Sequence, residues 1–369
     1  MKKVFVWGGW FGSRNIGDEA ILLGIRNIFK EVDPEIRIAA LTSDPTYTSS
    51  VHGVLPVQAG FKANFLGIFQ QLVKSDMTLV SGGTPLYDYA HIHRMYKTLL
   101  PKLFKRKLCF FGVGTKRINS SAGKKLIKYI IDSCDSISVR DRRTREELTK
   151  VGVKRTIKVT GDPALFIQMK NVRKLKGNVK ICICPRILSQ KYKRHYHQRV
   201  MEDEIKNMVG VLSKTMEHLG KQGYKLYLIP FHRAPYDDDM KVVTKLLKGS
   251  NLHVTILNKD GSMTPPEVVG LIGQMDLVIG LRLHSLIFSA MKGVPMITFD
   301  YDMKMGGFMD MVGMSDFALS STVKAKDFIE KCEFLLEHRK EVGKKMLRSI
   351  GEMKRNVLKD AREIRELLC

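Results

Sequence analysis

Cysteine is scarce. The 369 residues hold six, Cys109, Cys134, Cys182, Cys184, Cys332 and Cys369, with no C-x-x-C pair and no zinc spacing, which excludes a disulfide-built secreted scaffold and a zinc ribbon. Most sit inside apolar runs, where thiols serve as small core hydrophobes of a reducing compartment. Long apolar runs are missing as well: nothing approaches the ~18 residues of a membrane span. The apolar start from Val4 is broken by glycines and Arg14 without a small-residue cleavage site, so no secretory leader is indicated. These absences point to the cytoplasm, with peripheral residence on the inner membrane face as a variant. Acid is the minority charge, 37 Asp+Glu against 62 Lys+Arg for a formal net charge of +25, which favours anionic partners. With 44% hydrophobic and 27% charged residues the chain is folded rather than a disordered polycation. Its length suits two domains.

What is present is alternation. Lys3–Trp7, Arg37–Leu41, Met77–Val80, Leu108–Val113 and Ser136–Val139 read as short buried strands, and helical patterns open at Asp18, Ala90, Ser121 and Thr144. Repeated strand-helix units build a parallel sheet with helices on both faces. The pattern lapses over Ile167–Asn178, a polar stretch with Lys170, Arg173, Lys174 and Lys176 that reads as a linker. It restarts with strands Val179–Cys184, Leu226–Pro230, Leu252–Leu257, Asp276–Gly280 and Pro295–Phe299. Helices at Glu202–Lys221, Asp238–Leu247, Pro265–Ile272 and His284–Met291 separate them. The expected fold class is α/β: two facing Rossmann-like, doubly wound parallel-sheet domains, over 1–168 and 178–335. Over 336–369, Val342, Met346, Ile350, Met353, Val357, Ile364 and Leu367 recur mostly at steps of three or four. That is an amphipathic helix packing on the body, with a basic membrane-surface helix as the alternative.

Ligands of open α/β sheets bind beyond the carboxyl ends of the strands, so two such domains predict a shared site in the cleft between them. Gly8 to Glu19 follows the first strand with four glycines and opens the first helix at Asp18, where backbone amides suit an anion or a hydroxyl-rich sugar. It is neither a dinucleotide G-x-G-x-x-G nor a P-loop, and a plain helix cap by Asp18 explains it equally well. Gly82-Gly83 and Gly112-Val113-Gly114 end two further strands of the same sheet. Arg140 ends a fourth, where its fork suits carboxylate or phosphate unless Asp141 claims it in a structural ion pair.

In the second half, Gly280-Leu281-Arg282-Leu283-His284-Ser285 follows a strand and enters an apolar helix. Alternation points Arg282 and His284 the same way, a cation and a titratable imidazole that can hold an anion and shuttle a proton. Asp300 and Asp302 have the D-x-D form of metal-bound sugar-nucleotide sites, a short pattern frequent by chance. Lys304 lies in the following loop as a third cation. Asp237-Asp238-Asp239 reads as a helix start, His91/His93 and His195/His197 lack further metal ligands, and the basic run Lys191–Arg199 reads as a solvated loop.

Together these motifs resemble the polysaccharide pyruvyl transferase family, including the cell-wall type acting on secondary polymers. The resemblance rests on Gly12 to Ala20, Gly82-Gly83, Ser138-Val139-Arg140-Asp141 with Gly161-Asp162-Pro163, Pro230-Phe231-His232, Gly280 to Phe288, and Tyr301-Asp302-Met303-Lys304. Met303 stands where the family commonly has proline. The resemblance implies a fold like that of B-type glycosyltransferases and transfer of a pyruvyl unit from phosphoenolpyruvate to a sugar as a cyclic ketal. It implies donor binding by Arg140, Arg282, Leu283 and Lys304, with His284 catalytic, and acceptor binding around Asn15, Asp18, Gly82 and Gly83. Phosphoenolpyruvate is then a co-substrate, and neither cofactor nor metal is implied. The expected acceptor is a sugar or a lipid-diphosphate-linked saccharide, and the +25 charge suits an anionic membrane surface. Two other classes remain open: a B-type glycosyltransferase using a nucleotide sugar, and a nucleic-acid-binding protein, for which no recognisable module is present.

Overall fold

Val4, Phe5 and Val6 are each fully buried, and a strand with both faces covered belongs at the centre of a parallel sheet. In the computed structural model, which describes residues 2–60, 64–87, 99–186, 202–235 and 237–368, they form the middle of β1 (Lys3–Trp7). The other strands of the first sheet are β2 (Arg37–Thr42), β3 (Leu55–Gln58), β4 (Met77–Val80), β5 (Lys107–Val113), β6 (Ser136–Val139) and β7 (Lys158–Val159), in the order β3-β2-β1-β4-β5-β6-β7. All pairs are parallel, with Val4 opposite Ile38 on one side and Met77 on the other. Helices α1 (Ile16–Val32), α2 (Pro45–His52), α3 (Phe65–Lys74), α4 (Leu100–Leu103), α5 (Ser121–Ser133) and α6 (Arg142–Val151) connect them. The helix expected to open at Ala90 lies outside the described residues, as do both histidine pairs and the run Lys191–Arg199.

The second sheet repeats the plan. Its strands are β8 (Lys180–Cys184), β9 (Lys225–Leu228), β12 (Val254–Ile256), β13 (Leu277–Gly280), β14 (Met296–Phe299) and β15 (Ala318–Leu319), in the order β12-β9-β8-β13-β14-β15, all parallel. A separate antiparallel hairpin joins β10 (Arg233–Ala234) to β11 (Asp237–Asp238). Helices α7 (Glu202–Lys221), α8 (Met240–Leu247), α9 (Pro265–Ile272), α10 (Leu283–Met291), α11 (Met303–Met311) and α12 (Ala325–Glu337) complete this half, and α13 (Arg339–Glu366) closes the chain. The chain falls into two units, 1–167 with 352–369, and 168–351.

Two details differ from the sequence reading. Asp237 and Asp238 pair with Ala234 and Arg233 in the hairpin, and helix α8 begins only at Met240. Lys304 sits in the first turn of α11 rather than in a loop. The stretch 168–178, which carries no helix or strand, belongs to the second unit: Lys170 pairs with Glu267 at 2.8 Å and the Leu175 amide donates to Gln274 at 2.8 Å. Helix α13 buries Met346, Ile350, Met353, Val357, Ala361 and Ile364. With that apolar face taken up by protein, it is not available to lie in a lipid surface. Among the described residues no helix is long and apolar enough to cross a membrane.

Candidate functional site

A doubly wound sheet has one place where successive connections leave in opposite directions, and the crevice there is its natural ligand site. In the first unit that place lies between β1 and β4. The loops leaving these strands touch backbone to backbone: a Cβ on Gly82 would stand 2.7 Å from Gly9 Cα, so neither loop tolerates a side chain there. Helix α1 starts beside them. Asn15 caps it, its Oδ1 accepting the Gly17 amide at 3.0 Å, and Asp18 Oδ1 accepts the Trp10 amide at 3.3 Å while lying beside Gly83. Asn15, Asp18, Gly82 and Gly83 are thus brought to one edge, and Trp10, half exposed, stands with them. The loop is braced from below by a fully buried pair, His52 Nε2 to Glu19 Oε2 at 2.7 Å, with Glu19 Oε1 accepting the Arg14 amide at 3.0 Å.

Arg140 leaves β6, two strands beyond β4, and its side chain is buried to 4% exposure. Its guanidinium lies flat on Gly114, where a Cβ would come within 2.6 Å of Nη2. Asp141 and Asp162 stand at 3.5 and 3.6 Å, ion-pair range but long, and Nε and Nη2 find no hydrogen-bond partner among the described residues. Burial pushes the Asp141 carboxyl up against the opposing pull of Arg140. Asp141 also caps α6, accepting the Thr144 amide at 2.7 Å.

In the second unit the reversal falls between β8 and β13. Arg282 caps α10, His284 is its second residue and half-buried, and the flanking Leu281 and Leu283 are buried. What Leu283 can offer a ligand is therefore its backbone at the helix start. Arg282 is held by two carboxylates that arrive from β11 and the residue after it. Its Nε donates to both oxygens of Asp239 at 3.2 and 3.1 Å, its Nη2 to Asp239 Oδ1 at 2.5 Å, and its Nη1 to Asp237 Oδ2 at 2.9 Å. His232 Nδ1 is 3.0 Å from the same Asp237 oxygen. Burial would lift the Asp237 carboxyl, but the Arg282 charge, the His232 contact and the charge of Arg186 hold it well below the usual carboxylate range. Burial likewise works against the Arg282 charge, and its two aspartates overcome that and keep it protonated.

Asp300 and Asp302 spend oxygens on helix α11: Asp300 Oδ1 accepts the Gly306 amide at 3.0 Å and Asp302 Oδ1 the Lys304 amide at 3.3 Å, while Lys304 Nζ lies 3.3 Å from Asp302 Oδ2. Among the described residues no group of three or more acidic, histidine or cysteine side chains could hold a metal ion. Arg282, Leu283, His284 and Lys304 thus gather at the carboxyl ends of β13 and β14, with Arg140 on the other unit. Sequence reasoning missed the Asp237/Asp239 clamp, since those carboxylates read as a helix start. It also missed Arg186, two residues past β8, and Trp10.

Two Rossmann-like units of parallel sheet, each with polar and charged groups at its strand reversal, define a fold of the B-type glycosyltransferase class. The chain is similar in structure to a glycosyltransferase from Rickettsia africae (TM-score 0.63, 13% identity, covering 100% of this chain and 98% of that one). It is similar as well to HepE of Anabaena in complex with UDP-glucose (0.61, 12%, 100% and 99%). A third likeness is to the UDP-GlcNAc 2-epimerase of Neisseria meningitidis bound to UDP-GlcNAc (0.60, 14%, 99% and 100%). No curated protein matches. Residues 15–303 match the family model for polysaccharide pyruvyl transferase, and the chain belongs to that family.

Proposed function

We propose that the protein moves the pyruvyl unit of phosphoenolpyruvate onto two hydroxyls of one sugar in a cell-surface polysaccharide or its lipid-linked precursor. The observation that carries this reading is the pairing of Arg282 and His284 at the start of α10 within a chain of this family. Phosphoenolpyruvate presents a carboxylate and a phosphate on three carbons, which call for fixed cations and helix-start amides. His284 gives a proton to the methylene carbon, leaving the positive charge on the carbon that bears the phosphate. A sugar hydroxyl bonds to that carbon and gives up its proton, returning one to His284. The carbon–oxygen bond to phosphate then breaks, and a second hydroxyl of the same sugar closes the ring, its proton leaving with phosphate. The donor supplies both the carbon unit and the leaving group, so the cycle needs no organic cofactor. Trp10, with Asn15, Asp18, Gly82 and Gly83, offers a flat apolar face beside polar groups, which suits a sugar ring. The net charge suits an acceptor carried on an anionic membrane, testable by salt-sensitive co-sedimentation with anionic vesicles.

Phosphate release from phosphoenolpyruvate with a panel of lipid-linked and nitrophenyl sugars tests the reaction. His284→Ala is expected to abolish release while phosphoenolpyruvate still binds, and a near-normal rate in that variant refutes the assigned role. Arg140→Ala is expected to weaken donor binding. Because the structural neighbours include nucleotide-sugar proteins, the alternative is a nucleotide-sugar glycosyltransferase. Thermal stabilisation by UDP but not by phosphoenolpyruvate would decide for it.

A further inference from the structure

Arg186 and Arg282 occupy matching places on the two strands that flank the reversal of the second sheet. Cys184 and Gly280 are register partners, and each arginine lies two residues beyond one of them. Their contacts differ. The Arg282 guanidinium is neutralised by Asp239 and Asp237. Arg186 makes no ion pair among the described residues. Its Nη1 donates to the neutral Tyr301 hydroxyl at 3.3 Å, and its Nε is shut from solvent without a hydrogen-bond partner among the described residues. Tyr301 is itself fixed by donating to the Leu281 carbonyl at 2.5 Å, so the guanidinium rests on a rigid neighbour. Asp237 and Asp302 favour the Arg186 charge from beyond contact, while their own oxygens are engaged, those of Asp237 with Arg282 and His232 and those of Asp302 with Lys304. A guanidinium with no carboxylate in contact among the described residues, and with one donor shut from solvent, thus stands at the place where a doubly wound sheet binds its ligand.

We propose that Arg186 receives the tetrahedral phosphate of the donor at the β8–β13 reversal, and that Arg282 with Asp237 and Asp239 is the fixed wall that positions it. This rests on the phosphoenolpyruvate reading above. It reverses the order of importance that the sequence motifs suggest: the prominent arginine is committed to protein carboxylates, and the inconspicuous one carries a donor without a partner among the described residues.

The test titrates inorganic phosphate and phosphoenolpyruvate into the full chain calorimetrically, for wild type, Arg186→Met and Arg186→Lys, and records melting with and without phosphate. Arg186→Met is expected to bind phosphate at least tenfold more weakly, and Arg186→Lys to fall between, since a point charge replaces a planar fork. The phosphate-free melting temperature of Arg186→Met should stay close to that of wild type, because no ion pair in contact is broken among the described residues, while the gain on adding phosphate disappears. Phosphate affinity within twofold of wild type overturns the assignment. So does a marked fall in the phosphate-free melting temperature, which would make Arg186 a structural ion. Turnover separates the two readings: a wild type that binds phosphate through Arg186 yet never releases it from phosphoenolpyruvate refutes the transfer reaction alone. Wild-type KM for phosphoenolpyruvate in Arg186→Met refutes the assignment of Arg186 alone.

Discussion

Replacing Asp239 by Asn leaves the shape of the second unit's ligand edge almost intact and removes one charge. Asp239 is fully buried, contacts Arg282 through both oxygens, and also accepts the Phe231 and His232 amides at 2.9 and 3.1 Å. The amide oxygen of Asn keeps an acceptor for those backbone groups, so the loss falls on Arg282, whose side chain is only 8% exposed. Breaking a buried pair from one side costs about 3–5 kcal/mol, because the remaining charge stays desolvated. For a body of this size that is about 6–20 °C in melting temperature. Scanning calorimetry without ligand is the assay, with hydrogen exchange to confirm that the change lies within 168–351. Adding Arg282→Met to Asp239→Asn removes the stranded cation and should recover about 1–3 kcal/mol, a coupling read directly from the double-mutant cycle. A single-variant cost below about 1 kcal/mol, or strict additivity in the cycle, would falsify the view that Arg282 is neutralised by these carboxylates.

Three further outcomes follow from the same geometry. Asp237 is held below its ordinary range in the folded state. Its contribution is therefore complete above the unfolded carboxylate pKa of about 4 and is lost as pH falls below that value; urea midpoints from pH 7 down to 3 should decline more gently in Asp237→Asn. Gly114→Ala sets a Cβ against Arg140 Nη2 and must displace that guanidinium; donor affinity measured by calorimetry should fall as in Arg140→Ala, and unchanged affinity would remove Arg140 from donor binding. Ile364→Ala empties a fully buried position of α13 and should cost about 2–5 kcal/mol, with the melting transition of the first unit shifted and that of the second left in place.

The strands legible in the sequence were those buried on both faces. Lys3–Trp7, Met77–Val80 and Ser136–Val139 stand where their apolar runs place them. β3 escaped notice because it is an edge strand, half exposed and carrying Pro56, so it lacks the apolar run. Helix α2 was hidden by its run of hydroxyl residues, which its Asp44 cap and Pro45 make helical all the same. At the site, glycines and arginines at strand ends were readable because a strand end is a local property. The clamp on Arg282 was not: its carboxylates lie 43 and 45 residues away in sequence, and only the folded sheet brings them together. Arg186 gave no signal either, since what sets it apart is that no carboxylate among the described residues contacts it.

Helix α13 gives its earlier half to the second unit and its later half to the first. The unit translated first is therefore finished last: until residues 352–368 have left the ribosome, the groove that receives Met353, Val357, Ala361 and Ile364 stays open, and Lys158 waits for Asp360 and Glu363. The second unit draws on one unbroken stretch of chain and can consolidate earlier. Truncation ahead of Met353 would thus injure the amino-terminal half of the protein while sparing the half nearer the cut.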